Sequence, residues 1–139
     1  MNLLMLSGDT SVVRGERRAF HNTLSEFSNY WDRIDILTHR VRGVARHDCF
    51  ENVTFYPSPW GKMIQPFYVW KKGRALAARR RYDLIVSHDY GFFLHGTGAR
   101  WLSQACGVPY VSEIHHVDGY PRGANLRERL KPVLTRQYV

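Results

Sequence analysis

Apolar runs and helical periods alternate along this chain. Residues 2–7 (NLLMLS) form a short apolar run that reads as a strand, followed at 8–15 by a loop in which Gly8 and Asp9 supply turn chemistry. In 16–31, Phe20, Leu24, Phe27 and then Tyr30 or Trp31 recur at steps of three and four, which predicts a helix with one apolar face. Residues 33–38 predict a second strand. Residues 39–51 are polar, basic and punctuated by Gly43, and predict a surface loop. A third strand is expected at 52–56, closed by a turn at Pro57 and Pro59.

The same alternation continues. A long helix is predicted over 60–81, with Ile64, Phe67, Tyr68 and Leu76 in a stripe and basic residues near its end, where they suit the helix dipole. A fourth strand at 84–87 leads to a helix over 91–105, stopped by Gly107, with Gly96-Thr97-Gly98 read as a weak or bent stretch within it. A fifth strand follows at 108–114, and 124–139 begins another helix bent near Pro132. This order is that of an α/β chain: a Rossmann-like, doubly wound, mostly parallel sheet with helices on both faces. The last helix stops at Tyr138-Val139 without a cap or a closing strand. The expectation is one domain over 1–139, truncated from a longer two-domain protein.

Composition changes this picture little. At 139 residues, with 44% hydrophobic and 14% aromatic content, the chain can bury a sizeable core, and it has no repeat or low-complexity stretch. Its net charge of +8 favours anionic partners without choosing among them. Cys49 and Cys106 form neither a CxxC nor a disulfide pattern, so a reducing cytoplasm is expected. The first nine residues lack the basic start and the length of a secretory signal, and no run approaches a membrane span.

The candidate chemistry lies where the last two apolar runs end. DLIVSHD and VPYVSEIHH read as buried parallel strands, and sheets of this kind place ligands beyond the carboxyl ends of their strands. His88, Asp89, Glu113, His115 and His116 fall there. Asp89 has two expected uses of equal weight, contact with a substrate or capping of the helix that follows. His116 points away from His115 if the strand continues, so a packing or loop role competes there with substrate contact and is the favoured one. Arg14 and Gly15 stand at the mouth of the first helix, where Gly15 permits close approach of a ligand and Arg14 can contact an anionic group; the alternative is that Gly15 only turns the chain and Arg14 is solvated.

Three segments in order, NLLMLSGDTSVVRGERRAF, YDLIVSHD and GVPYVSEIHH, resemble the amino-terminal domain of family 4 glycosyltransferases, which have the GT-B architecture of two facing Rossmann-like domains. The first loop departs from the family pattern, having Arg14 and Gly15 where adjacent glycines are usual. The resemblance implies retaining transfer of a sugar from a nucleotide-sugar co-substrate, with no cofactor and no tightly held metal. It implies an acceptor site in this half, for a carbohydrate or a lipid-linked acceptor, and a donor nucleotide in a carboxyl-terminal half absent here, so that this fragment alone would be inactive. The family's histidine after the fifth strand falls on His115, which makes His115 the expected catalytic residue. His88, Asp89, Glu113, His116, Arg14 and Gly15 are expected to bind substrate.

Two other classes compete with this reading. His88, Asp89, His115, His116 and Asp118, with Asp9, contain the ligand types of a metal-dependent hydrolase but lack its tight spacings. The charge and the aromatics fit a non-catalytic nucleic-acid-binding domain, but no recognition motif is present and no nucleic acid is expected. A dinucleotide-dependent oxidoreductase is excluded because SGDTSVVRGE lacks the G-x-G-x-x-G spacing. The basic run Lys71, Lys72, Arg74, Arg79, Arg80 and Arg81, near Trp60, Phe67 and Trp70, has a further use beside that of a solvated helix face. It suits peripheral contact with an anionic membrane, here the inner face.

Overall fold

Along β1 (Asn2–Ser7) side chains alternate between two faces, Leu3 and Met5 on one and Leu4 and Leu6 on the other, and all four are buried. A strand buried on both faces requires cover on both, and the rest of the fold supplies it. The computed structural model describes residues 1–89 and 94–114. After β1 come α1 (Ala19–Phe27), β2 (Arg33–Thr38), β3 (His47–Cys49), β4 (Val53–Pro57), α2 (Gln65–Ala77), β5 (Leu84–Asp89), α3 (Leu94–Cys106) and β6 (Tyr110–Ile114). Short 3-10 turns at Val12–Arg14 and Lys62–Ile64 introduce α1 and α2.

The described strands form one sheet in the order β3-β4-β2-β1-β5-β6, parallel except for β3, so the domain is an α/β, Rossmann-like fold. From β1 the chain winds outward through β2 to β4, then returns through α2 to lay β5 on the other side of β1. The switch point therefore lies between β1 and β5, where such sheets open a crevice at their carboxyl edge. Phe20 and Leu24 of α1 close one core with Leu3, Met5, Ile34, Ile36 and Phe55. Tyr68, Val69 and Leu76 of α2 and Ala99 and Leu102 of α3 close the other with Leu4, Leu6, Leu37 and Ile85.

At the opposite, amino-terminal end of β2, Asp35 is fully buried and its carboxylate is shared. The Nε of Arg33 donates to it at 3.1 Å, Arg80 donates at 2.7 Å, and the Tyr82 hydroxyl donates as well. Burial first, and then Asp35, push the Tyr82 phenol well above its ordinary range. This network ties the segment after α2 to the middle of the sheet.

Several expectations are corrected. The helix expected over 60–81 is shorter, because Lys62–Ile64 forms a separate 3-10 turn; α2 follows it with Pro66 in its first turn, where the missing N–H costs nothing. The helix expected over 16–31 ends at Phe27 and unwinds through turns, leaving Trp31 against the core and Tyr30 exposed. The loop expected over 39–51 contains β3, an antiparallel edge strand whose three mostly polar residues are too few to give a period. The last run is not buried on both faces: β6 is an edge strand among the described residues, with Val111, Glu113 and Ile114 exposed. The expected helix at 124–139 lies outside the described residues. Among those described, no helix is long and apolar enough to cross a membrane.

Candidate active site at the carboxyl edge of the sheet

β5 and β6 run side by side in parallel, with His88 in register with Glu113 and Asp89 with Ile114. Pairing brings His88 and Glu113 together, Nε2 to Oε2 at 3.0 Å, with the imidazole mostly buried and the carboxylate half exposed. The ring also meets the edge of Phe20 at 5.8 Å between centroids, on the face that α1 covers. A carboxylate beside an imidazole fixes the orientation of the ring, the usual requirement for a histidine that exchanges protons or holds a hydroxyl.

Asp89, the next residue, turns to the other face. It is 1% exposed; its Oδ1 accepts the backbone N–H of Gly96 at 2.7 Å, and its Oδ2 accepts from the hydroxyls of Ser112, at 3.0 Å, and Ser87. Gly96 lies in the first turn of α3, so of the two uses expected of Asp89 the geometry is that of the cap.

The loop after β1 is shaped by its own side chains. Asp9 accepts the N–H of Ser11 at 2.7 Å, and the Thr38 hydroxyl donates to the Asp9 carbonyl at 3.1 Å. Gly15 ends the 3-10 turn with φ +80°, a left-handed conformation, and a β-carbon there would meet nothing within 4 Å. Its glycine thus serves the turn, and Arg14 beside it is exposed. His115 and His116, like Asp118, lie outside the described residues.

Two histidines that the strand-end reading passed over stand at the switch point. His39 directly follows β2, and its Nε2 would lie 3.1 Å from a β-carbon on Gly8, which directly follows β1. His95 is in the first turn of α3 and its ring meets that of His39 edge-on, with centroids 4.6 Å apart. His95 is 4% exposed, and among the described residues neither of its nitrogens, nor the Nδ1 of His39, nor the buried Oε1 of Gln65 makes a hydrogen bond of good geometry, although the Leu6 carbonyl approaches His95 and the Gln65 side chain approaches His39. Gln65 is held there by its amide, which donates to the Thr38 carbonyl at 3.2 Å.

Burial lowers the His95 pKa to about 3, with the positive forms of His39 and His88 acting in the same direction and the Leu6 carbonyl opposing. Burial also lowers that of His39, helped by the charge on Lys62 and opposed by Gln65. Both rings are therefore neutral at physiological pH, each with one donor and one acceptor. Such a pair suits a neutral hydroxyl better than a phosphate.

A family model described as a glycosyl transferase 4-like domain matches residues 14–139, nearly the whole chain. The chain belongs to that family. Comparison with curated proteins and with solved structures gives no significant match. The general role of this glycosyl transferase 4-like domain is thus in sugar transfer, with a sugar donor and an acceptor as substrates. The competing classes gain no support: among the described residues no three His, Cys, Asp or Glu side chains are grouped to hold a metal ion, and His88 and Asp89 face opposite sides of the sheet.

The strand-end rule, applied to the second strand as it was to the fourth and fifth, points to His39, which directly follows Thr38. His95 gave no comparable signal. Its place depends on α3 starting at Leu94 and turning its first residues toward β2.

Proposed function

We propose that this domain forms the acceptor side of a retaining glycosyltransferase of the GT-B type. A nucleotide-sugar donor is held by a second Rossmann-like domain across the crevice. The observation that carries the acceptor assignment is the pair of neutral, poorly hydrogen-bonded imidazoles of His39 and His95, in edge contact at the switch point, in a domain of this family. Buried polar atoms with poor hydrogen bonds are costly, and an acceptor hydroxyl reaching the edge of the pair relieves that cost. His88, oriented by Glu113, lies close enough to act on the charge of His95 and extends the same rim. His115 keeps the role that the family resemblance gives it, holding the reacting sugar at the domain cleft. Arg14, at the mouth of the first helix beside the Gly15 turn, and His116, next to His115, stand as further substrate contacts from their places in the sequence, and no cofactor takes part.

The test uses the full-length enzyme, a panel of nucleotide sugars, and release of nucleoside diphosphate as the readout. His95→Phe is expected to raise the acceptor KM by about tenfold while leaving the donor KM unchanged, the cost of about one lost hydrogen bond. His115→Ala is expected to lower kcat with the thermal midpoint unchanged. NMR of the product's anomeric centre should show the donor's configuration. Equal acceptor affinity in His95→Phe removes the imidazole pair from the site, unchanged turnover removes His115, and an inverted product overturns the retaining assignment.

A further inference from the structure

The buried stripe of α2 consists of Gln65, Pro66, Tyr68, Val69, Gly73 and Leu76, so the helix spends its packing on the sheet and α3. Its outward side and the turn before it are nonetheless apolar. Met63 is 81% exposed, Ile64 51% and Phe67 47%. Around them runs a ladder of rings. Trp60 stacks on Phe67 at 5.8 Å and Phe67 on Trp70 at 5.9 Å. Cations stand against both ends of it, Lys71 at 5.6 Å from the Trp60 ring and Arg74 at 4.9 Å from that of Trp70.

We propose that this face docks the protein on an anionic lipid surface. Two exposed aliphatic side chains, a set of aromatic rings and flanking Lys and Arg make the pattern of an interfacial element. Its apolar residues enter the acyl boundary while its cations remain among the head groups. The ladder argues against a nucleic-acid strand, since bases need open ring faces and here the rings cover one another. Met63 and Ile64 offer a base nothing to stack on. A second copy of the chain is disfavoured by charge: a two-fold contact would set Lys62, Lys71 and Arg74 against their own images.

The position of the face gives docking a consequence. Lys62 acts on the charge of His39, and Gln65, the first residue of α2, borders the His39–His95 pair, so the apolar face adjoins the rim of the candidate site. Resting on the transferase reading, the acceptor presented there is one carried in the bilayer. The docking itself does not depend on that reading and is measured without any transfer.

The experiment is co-sedimentation of the full chain with phosphatidylcholine vesicles, with and without phosphatidylglycerol, at low and high salt. The expected result is partition onto the phosphatidylglycerol vesicles and release by salt. Ile64→Ser with Phe67→Ser should weaken partition by about tenfold or more. Each of Lys62→Gln, Lys71→Gln and Arg74→Gln should weaken it by about fivefold, from about 1 kcal/mol per charge. These side chains are exposed, and a thermal melt checks that the variants remain folded. Absence of partition, or equal partition onto neutral vesicles, overturns the proposal. So does full binding by the Ser pair with competition from single-stranded RNA, which marks a general polyanion site. Self-association removed by the Ser pair, without vesicle binding, marks an interface between copies and overturns it too.

Discussion

His95 stays neutral well below the ordinary range because burial, His39 and His88 all oppose its charge, holding its pKa at about 3. In the unfolded chain the same ring takes up a proton near pH 6.5. Between those values the unfolded state binds more protons than the folded one, so stability, complete above about pH 6.5, falls as the pH drops, by up to about 1.4 kcal/mol per pH unit. His39, shifted the same way, adds to the fall. His95→Phe, which cannot protonate, should therefore show a shallower loss of urea midpoint between about pH 6 and pH 4 than the wild type. An unchanged acid slope would show that the ring is not buried as described. Residues were legible in the sequence as far as strand ends fix them. His88 and Glu113 meet because parallel pairing puts them in register. Asp89 faces the other way, and only the placement of α3 decides that its carboxylate caps a helix.

Elements were legible where burial gives a period, and obscure where close approach replaces it. Gly96-Thr97-Gly98 read as a weak stretch of helix, yet α3 is continuous there and the glycines allow contact. A β-carbon on Gly98 would lie 2.7 Å from the Cβ of Val69 and 2.8 Å from the Pro66 carbonyl oxygen, so α2 has no flexible side chain to move aside. Gly98→Ala gains about 1 kcal/mol of helix propensity and forces an overlap that costs about 1–3 kcal/mol in a packed interior. Because one of the clashing atoms is backbone, the upper part of that cost applies, and the thermal midpoint should fall by several degrees. Gly61→Ala, where nothing lies within 4 Å of the added carbon, is the control and should leave it unchanged. A Gly98→Ala variant as stable as the wild type would mean that the two helices are not in contact. β3 was missed for the opposite reason: it is held by pairing with β4 and by Asp48, which joins Arg46 and Thr54, none of which leaves a hydrophobic pattern.

For the whole molecule, class and topology were readable because a strand buried on both faces can belong only to a sheet covered on both. Net charge is a property of the same scale. With an excess of eight positive charges, the folded state carries self-repulsion that the expanded chain relieves. Added salt screens it, and also screens the exposed pairs Arg18–Glu16, Arg46–Asp48 and the amino terminus with Asp32, which contribute little in water. The buried pairs of Asp35 are screened much less. Repulsion acts among all the unpaired cations, including Lys71, Lys72, Arg79 and Arg81, whereas the losses are confined to a few surface contacts. Moving from very low ionic strength to about 0.1 M sodium chloride, where the screening length is about 10 Å, should therefore raise the thermal midpoint by a few degrees. A fall would mean that the exposed pairs outweigh the repulsion. The sign also separates folding from docking: salt that stabilises the domain should release it from anionic vesicles, so a loss of vesicle binding with rising salt cannot be the result of unfolding.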